Sequence, residues 1–468
     1  MKVLEGVSEI LLDKYNIYAF DYIEYPHKSF WSEQFQAESY KAALKESCLS
    51  GAPLVLYVHI PFCEQLCWFC ICHFKITHDY ERVKSYLSFL YRELDLLRQF
   101  FDANSLTPNF REVHLGGGSP TYLREEEFSQ LKARLQTTVD FDNLDEFAIE
   151  IDPRRVSRER MKFYRQEGIT RVSFGVQDFD LEVQKAVNRV QPPELLENLL
   201  TPDIREGFES VNFDLLCGLP HQTPTSMRKT AERVIQLSPD RIALSFMHYS
   251  PKTAPHQQLM KKDGELPDFQ ARKLIFEEAV RALLRAGYVR TGFEHFAKPT
   301  DAVAKAVEKQ TVQYNSLGAT PGRSPYILGV GLHSYSSPGE RCYSQNVYEQ
   351  PEYEQALTKG QFPIFRGHCL SRDDVIRREV IHKLRSLFAL DCEEIERKHG
   401  LEFERYFEQE KILLEEFARD GMVELREGKI LLTDLGKNFA NLTARVFDKY
   451  SRGRDYPEDF FKAPEVAL

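Results

Sequence analysis

Hydrophobic and polar positions along the chain predict a parallel β-sheet covered by helices. Short runs rich in β-branched and aromatic residues predict strands at 54–59, 112–115, 146–151, 171–174, 210–215 and 241–246. Between these runs apolar residues recur with the helical period, which predicts helices at 80–100, 125–139, 158–167, 181–188 and 225–237. Strands that alternate with helices at this spacing predict a parallel sheet that forms an open or closed α/β barrel.

The pattern changes on both sides of this segment. Residues 1–50 are polar and aromatic, and Pro26 biases the preceding residue away from helix, so an extended arm or lid is predicted ahead of a barrel at 51–300. Residues 301–365 are rich in Gly, Pro, Ser and Tyr and predict an irregular segment on the substrate side. Residues 366–468 combine amphipathic helices with a hairpin-like run, which predicts a mainly helical, winged-helix-like domain.

Composition and charge exclude several classes of function. The apolar fraction of 42% and the charged fraction of 28% are those of an ordinary soluble protein. The net charge is -10 and no long Lys/Arg run occurs, so nucleic acid is not expected as a partner. The sequence shows neither a signal-peptide core nor an apolar run of membrane length, and we therefore expect a cytoplasmic protein without a membrane partner.

Four cysteines within ten residues follow the first predicted strand directly. Cys63, Cys67 and Cys70 have the spacing C-x3-C-x2-C, with which one short loop can hold three irons of a 4Fe-4S cube and leave the fourth open. Disulfides are disfavoured, because the chain has 9 cysteines, an odd number, and no secretory signal. A zinc site would need a second, distant pair of ligands, which the sequence lacks. Three thiolates complete the expected set, so Cys72 is interpreted as a non-ligand.

Polar and glycine-rich residues follow the next strands at their carboxyl ends, where α/β barrels build their active sites. The run 116–120 reads Gly-Gly-Gly-Ser-Pro, and three glycines let the backbone approach a ligand closely. Glu150, Gln177 and Asp214 lie at the ends of the following three strands. Taken together, these strand ends predict a ligand site beside the cysteines.

These motifs together resemble the radical S-adenosylmethionine (SAM) superfamily and, within it, the oxygen-independent coproporphyrinogen III oxidases, also called coproporphyrinogen dehydrogenases, and their relatives. The likeness extends over nearly the whole chain. It is carried by the cysteine loop with the preceding Tyr-Val-His-Ile-Pro-Phe and by the motifs at 116–122, 149–153, 175–179, 187–189, 214–220, 294–297, 366–367 and 372–378. The resemblance implies a partial, open β/α barrel with a mainly helical C-terminal domain.

The resemblance also implies cofactors and roles. Cys63, Cys67 and Cys70 would bind the cluster, and one or two SAM molecules would be used. Reductive cleavage of SAM would give a 5'-deoxyadenosyl radical that abstracts hydrogen from a propionate, which then loses carbon dioxide and becomes a vinyl group. Tyr57 and Tyr22 are the implied catalytic residues. The implied SAM-binding residues are Tyr57, Phe69, Gly117, Gly118, Ser119, Glu150, Gln177, Arg189 and Asp214. A flavodoxin or ferredoxin would be the reductant, and a monomer is expected.

The chain departs from the family pattern where the substrate should bind. Asp21 stands where the family's arm has an arginine suited to a propionate. Further departures are Ile71, Cys217, His248, Leu317 and Ala319. They leave two alternatives open: a related radical SAM methyl or methylene transferase or haem-modifying enzyme with another substrate, and a haem carrier, for which Cys217, His248 and His333 would be the axial ligands.

Overall fold

The computed structural model describes residues 9–17, 19–262 and 265–451. In chain order its strands are β1 (Pro53–Ile60), β2 (Phe62–Cys63), β3 (Lys75–Ile76), β4 (Asn109–Gly117), β5 (Glu146–Ile151), β6 (Arg171–Gln177), β7 (Ser210–Cys217), β8 (Arg241–Phe246), β9 (Val289–Arg290), β10 (His295–Ala297), β11 (Gln313–Asn315), β12 (Gly318–Thr320), β13 (Tyr326–Val330), β14 (Tyr335–Gly339), β15 (Cys342–Asn346), β16 (Ile364–Cys369), β17 (Ala389–Asp391), β18 (Val423–Arg426) and β19 (Lys429–Leu432). Its α-helices are α1 (Glu9–Lys14), α2 (Ala37–Ser50), α3 (Tyr80–Ala103), α4 (Glu125–Leu135), α5 (Arg158–Gln166), α6 (Leu181–Ala186), α7 (Pro193–Leu199), α8 (Pro202–Arg205), α9 (Pro224–Leu237), α10 (Phe269–Arg285), α11 (Ala302–Glu308), α12 (Gln350–Thr358), α13 (Arg372–Ser386), α14 (Cys392–His399), α15 (Phe403–Tyr406), α16 (Glu408–Arg419), α17 (Asp434–Lys437) and α18 (Ala440–Arg445).

The main sheet is a partial, open α/β barrel, as predicted. Its strand order is β16-β15-β14-β13-β1-β4-β5-β6-β7-β8-β10-β9. The six predicted strands are its consecutive members β1 and β4 to β8, and each pairs with the next in parallel. Because they are parallel, their carboxyl ends lie at one edge of the sheet, and the cysteine loop follows β1 at that edge.

The helices between the strands cover the sheet with their apolar faces. In α3 the apolar residues Val83, Leu87, Leu90 and Leu94 are buried in the barrel core. The helix begins where the Asp79 carboxylate accepts a hydrogen bond from the backbone N–H of Glu81. The same alternation of buried and exposed positions that predicted these helices thus fixes which face packs on the sheet.

Residues 301–365, expected to be irregular, contain the five strands β11 to β15 and the two helices α11 and α12. Strand β13 pairs in parallel with β1, with Tyr57 opposite Gly329, and β14 and β15 continue the sheet in antiparallel fashion. These strands were missed because they are short and rich in Gly, Pro, Ser and Tyr, and because β13 pairs with β1, which is distant in sequence. In the described part of the N-terminal segment, helices α1 and α2 interrupt the predicted extended arm, and α2 packs against β14 and β15.

The C-terminal region has its own core, built from helices α13 to α18 and the antiparallel sheet β17-β19-β18. The N-terminal arm contributes Tyr15, Tyr22 and Tyr25 to this same core. Arm and C-terminal region therefore pack together through apolar side chains. Among the described helices, none is both long and apolar enough to cross a membrane.

Candidate active site

The cysteine loop is held against the barrel by backbone groups. It leaves β1 through Pro61, whose carbonyl accepts a hydrogen bond from the N–H of Lys75 at 2.6 Å, while the carbonyl of Cys63 accepts one from Thr77 at 3.2 Å. On the opposite side Gln257 donates to the carbonyl of Phe69 at 2.9 Å. The loop between Cys63 and Lys75 is therefore clamped at both ends and in the middle.

The loop forms one wall of a cavity of about 870 Å³ at the carboxyl ends of the strands. Eleven of the twelve predicted cluster- and SAM-binding residues line it: Cys63, Cys67, Phe69, Cys70, Gly117, Gly118, Ser119, Glu150, Gln177, Arg189 and Asp214. They come from six different segments of the chain, and Cys72 lines the same space. The fold thus brings the predicted constellation to one place.

The glycine turn after β4 lies directly against the first cysteine. A Cβ atom on Gly118 would lie 2.8 Å from the carbonyl oxygen of Pro61 and 3.0 Å from the Sγ of Cys63. Gly117 has φ +118°, and a Cβ there would lie 2.9 Å from the carbonyl oxygen of Ile60. Side chains are excluded at both positions, so the turn presents its backbone to the cavity beside Cys63.

Two carboxyl groups line the cavity, and their pKa values are shifted in opposite directions. Burial alone would raise the pKa of Glu150, but hydrogen bonds with the imidazole of His114 (3.3 Å) and from the N–H of Gly117 (3.1 Å) lower it overall. Burial raises the pKa of Asp214 despite hydrogen bonds from Ser173 (2.9 Å) and Asn212 (2.7 Å). Glu150 is therefore the ionised carboxylate best suited to bind a cation such as an ammonium group.

A pair of arginines closes the cavity behind Cys67. Arg189 donates to the carbonyl of Gly175 at 2.8 Å and from Nη1 to the Sγ of Cys67 at 3.3 Å. Arg154 donates from Nη2 to the same sulfur at 3.5 Å and is paired with Asp152 at 2.7 Å. Sequence reasoning singled out Arg189 but gave Arg154 no role. The sequence signal that could have identified Arg154 is its position in an Asp-Pro-Arg turn at the same strand end as Glu150.

The residues fit a 4Fe-4S cluster better than a single metal ion. In the described residues, no three His, Cys, Asp or Glu side chains converge in a way that could hold one ion. The three cysteines instead share the rim of one cavity, where each can bind a different iron of a cube, with guanidinium groups behind Cys67 to balance the negative charge.

Comparison with known proteins decides the family. The model of the radical SAM superfamily matches residues 57–234, and that of the HemN C-terminal domain matches residues 370–439. The oxygen-independent coproporphyrinogen III oxidase of Escherichia coli (strain K12) is 36% identical over 450 residues, which cover 96% of this chain and 97% of that protein. The chain belongs to the oxygen-independent coproporphyrinogen III oxidase family.

Further relatives support the same assignment. The oxygen-independent coproporphyrinogen III oxidase of Helicobacter pylori (strain ATCC 700392 / 26695) is 35% identical over 437 residues, which cover 92% of this chain and 94% of that protein. The solved structure described as coproporphyrinogen III oxidase (HemN) from Escherichia coli, a radical SAM enzyme, superposes with a TM-score of 0.85 at 36% identity and covers 92% of this chain and 97% of its own. Membership of this radical SAM family implies a 4Fe-4S cluster and SAM as cofactors.

The two tyrosines with predicted catalytic roles lie outside the 870 Å³ cavity. Tyr57 lies one layer behind it: its ring is 2.8 Å from the position of a Cβ on Gly116, and its hydroxyl lies 3.1 Å from the Nδ1 of His59. Tyr22 has an exposed fraction of 0% and donates a hydrogen bond to Asp448 at 3.0 Å in the C-terminal core. Both catalytic assignments stay predictions, and the geometry favours that of Tyr57.

A second, smaller cavity of about 240 Å³ adjoins the first in the interior of the oxidase-family barrel. The two cavities share Glu150, Ser173 and Asp214. Leu317 and Ala319, two of the residues that depart from the family pattern, line the second cavity. The side chains at positions 317 and 319 therefore shape the space next to Glu150 and Asp214, where they can change which ligand is bound.

The remaining departures differ in their exposure to solvent. Asp21 and His248 are exposed, whereas Cys217 is completely buried in the barrel core. Burial lowers the pKa of His27 to about 4, and Asp21 opposes this effect while Lys28 adds to it. The arm around Asp21 therefore lies within electrostatic range of cationic as well as anionic side chains.

Proposed function

We propose that this protein is an oxygen-independent coproporphyrinogen III oxidase. It would convert two propionate side chains of coproporphyrinogen III to vinyl groups in haem biosynthesis. The observation that carries the proposal is the convergence of the cysteine loop, the glycine turn and the acids Glu150 and Asp214 on one cavity, in a chain that matches 97% of the Escherichia coli oxidase.

Different residues of the cavity would bind different parts of SAM. When bound, the cluster and SAM supply one-electron reductive chemistry that generates a carbon radical. The backbone at Gly117 and Gly118 and the guanidinium of Arg189 are placed to bind the methionine part of SAM, and ionised Glu150 to bind its ammonium group. Each propionate then gives up one hydrogen atom, carbon dioxide and one electron, which passes to an external one-electron acceptor.

The substrate carries several carboxylates, and cations at the mouth offer a means of binding them despite Asp21. The arm is tied to β16 by paired backbone hydrogen bonds between Ser32 and Gly367 at 2.8 and 3.0 Å, which brings Lys28 toward Arg366. Arg272 packs against Gly218 at the end of β7. In the described part of the chain none of Lys28, Arg272 and Arg366 forms an ion pair, so their charges are available to a carboxylate.

The proposal also covers the location, the oligomeric state and the electron donor of the protein. A cytoplasmic monomer that receives electrons from a flavodoxin or ferredoxin is consistent with the acidic, ordinary composition of the chain. A second SAM could be accommodated only if the 240 Å³ cavity opened into the larger one, with which it shares Glu150 and Asp214.

One alternative function has observations of its own. Asp21 at the arm and Leu317 with Ala319 at the second cavity favour a related radical SAM methyl or methylene transferase or haem-modifying enzyme with a different substrate. The haem-carrier alternative is weaker, because Cys217 is fully buried in the core and its thiol faces no cavity described above.

Product analysis separates these functions. The reconstituted protein is incubated anaerobically with dithionite, SAM and coproporphyrinogen III, and the products are identified by mass spectrometry. Two successive losses of carbon dioxide and two hydrogens, together with 5'-deoxyadenosine, are expected. Methylthioadenosine or S-adenosylhomocysteine would instead identify the transferase, and an absence of SAM cleavage with a well-loaded cluster would favour the carrier.

A further inference from the structure

The sulfur of Cys67 is contacted by two guanidinium groups in a buried setting. The Nη1 of Arg189 lies 3.3 Å and the Nη2 of Arg154 lies 3.5 Å from the Sγ of Cys67. The exposed fractions of the two arginine side chains are only 10% and 12%, and that of Cys67 is 8%. Charge-assisted hydrogen bonds are strong in such surroundings because little water competes for the donors.

Arg154 is fixed in this position by Asp152. The Asp152 carboxylate accepts hydrogen bonds from the Nε and Nη2 of Arg154 at 2.9 and 2.7 Å, and from its backbone N–H at 3.1 Å. Pro153 lies between the two residues in a short 3-10 turn, Pro153–Arg155, which restricts the backbone further. Two of these contacts orient the guanidinium group toward the sulfur, and the third fixes the backbone of Arg154.

Asp152 connects both arginines. Burial would raise its pKa, but Arg189 and Arg154 lower it to about 2, so the carboxylate is ionised at neutral pH. Its Oδ1 lies 3.6 Å from the Nη2 of Arg189. Arg189 has further partners, Gly175 and Gln191, and is expected to bind SAM. The hydrogen bonds of the Arg154 side chain, by contrast, go to Asp152 and to Cys67.

We propose that Arg154, oriented by Asp152, is a positioning residue that donates an N–H···S hydrogen bond to the cluster ligand Cys67 and thereby raises the reduction potential of the cluster. Reduction adds one negative charge to the cluster, and a cationic donor at a ligand sulfur stabilises the reduced state more than the oxidised one. The inference rests on the cluster part of the proposed function and is independent of the identity of the substrate.

The test is a redox titration of the reconstituted full-length protein without SAM. The fraction of reduced cluster is followed by electron paramagnetic resonance, and iron and sulfide content are measured in parallel. The variants are Arg154→Gln, Arg154→Lys and Asp152→Asn. Arg158→Gln is the matched control, because Arg158 lies nearby in sequence but pairs with Asp203 at 3.1 Å, away from the cysteine loop.

The variants should shift the midpoint potential in opposite directions. Arg154→Gln leaves Asp152 partly uncompensated, so its midpoint should become more negative by at least a tenfold change in the reduction equilibrium, about 59 mV for one electron. Asp152→Asn keeps one oxygen that can accept the hydrogen bonds from the Nε and the backbone N–H of Arg154 but removes a negative charge, so its midpoint should shift in the positive direction. Arg154→Lys should fall between wild type and Arg154→Gln, because the ammonium keeps the charge but cannot bridge carboxylate and sulfur together. Arg158→Gln should match wild type.

An unchanged midpoint in Arg154→Gln with full iron content would overturn the proposal. A purely structural role would lower the iron content without moving the midpoint of the loaded fraction. If Arg154→Gln takes up no cluster, unchanged midpoints in both Arg154→Lys and Asp152→Asn would overturn the proposal equally. Shifted midpoints with no conversion of coproporphyrinogen III by wild type would refute the proposed substrate and leave this inference standing.

Discussion

Replacing Glu150 by glutamine tests how the cavity binds SAM. The substitution preserves the shape of the side chain. The amide oxygen of glutamine can still accept the hydrogen bond that the N–H of Gly117 donates to Glu150 at 3.1 Å in the wild type. The substitution removes one negative charge. Because hydrogen bonds with His114 and Gly117 lower the pKa of Glu150 against the effect of burial, the wild-type side chain is ionised at neutral pH and the full charge is lost.

The expected loss follows from the interaction that is removed. A hydrogen bond to a charged group contributes about 1.5–3 kcal/mol, and its loss should weaken SAM binding about 10- to 150-fold. Equilibrium binding of SAM to the oxidised, cluster-loaded protein measures this without turnover. Glu167→Gln is the control, since Glu167 pairs with Lys132 at 3.1 Å and does not line the cavity. A dissociation constant within twofold of wild type at full iron content would refute the assignment of Glu150.

The pH dependence supplies a second check on the same variant. A carboxyl group whose pKa is depressed in the folded protein keeps its charge above the ordinary value and loses it only as the pH falls through the depressed one. The ratio of the two dissociation constants should therefore stay constant between about pH 5.5 and 7, below the ordinary α-amino pKa of a ligand ammonium. A ratio that collapses within this interval would mean that Glu150 is protonated there, contrary to the argument.

Three further predictions concern the cluster, the arm and the contact between barrel and C-terminal region. Cys67→Ser should abolish both cluster absorption and SAM cleavage, and normal cleavage by this variant would contradict the cluster assignment. Asp21→Arg should lower the KM for coproporphyrinogen III severalfold with little change in kcat, because it replaces a repulsive charge by an attractive one at an exposed site; an unchanged KM would place the substrate carboxylates elsewhere. Lys273 of helix α10 donates a hydrogen bond to the carbonyl of Asn438 in the C-terminal region at 2.9 Å, and burial lowers its pKa from 10.5 to about 7. The stability of the wild type should therefore rise with pH between these values, and its free energy of unfolding should increase relative to that of Lys273→Met by roughly 3–5 kcal/mol from pH 7 to 10.5. Urea unfolding across this range measures that difference, and a pH-independent difference would show that Lys273 is charged in the folded protein.

The positions of the site residues could be predicted because parallel strands impose a simple rule. Each strand of a parallel sheet brings its carboxyl-terminal residues to the same edge, so Glu150, Gln177 and Asp214 had to lie near one another. The cysteine loop follows β1, the neighbour of β4 in the sheet, and this pairing places Cys63 beside the glycine turn. Local periodicity and strand order were sufficient for these residues.

Other features depend on contacts that the local sequence does not encode. Strand β13 pairs with β1 across more than 250 positions, and its five residues stand in a stretch whose composition resembles a loop. Tyr22 was predicted to be catalytic from the arm motif, but its direction is set by the C-terminal core and by Asp448. The contact between Arg154 and Cys67 arises from the short turn at Pro153, which aims the guanidinium back toward the loop.

Isotope transfer tests the central claim most directly. Coproporphyrinogen III deuterated in its propionate side chains is incubated anaerobically with the reduced, cluster-loaded protein and SAM, and the mass of the 5'-deoxyadenosine formed is measured. Hydrogen abstraction from the propionate predicts that 5'-deoxyadenosine gains deuterium as vinyl groups appear in the porphyrinogen. Formation of 5'-deoxyadenosine without deuterium, and with the porphyrinogen unchanged, would contradict the proposed substrate while leaving the radical chemistry of the cavity intact.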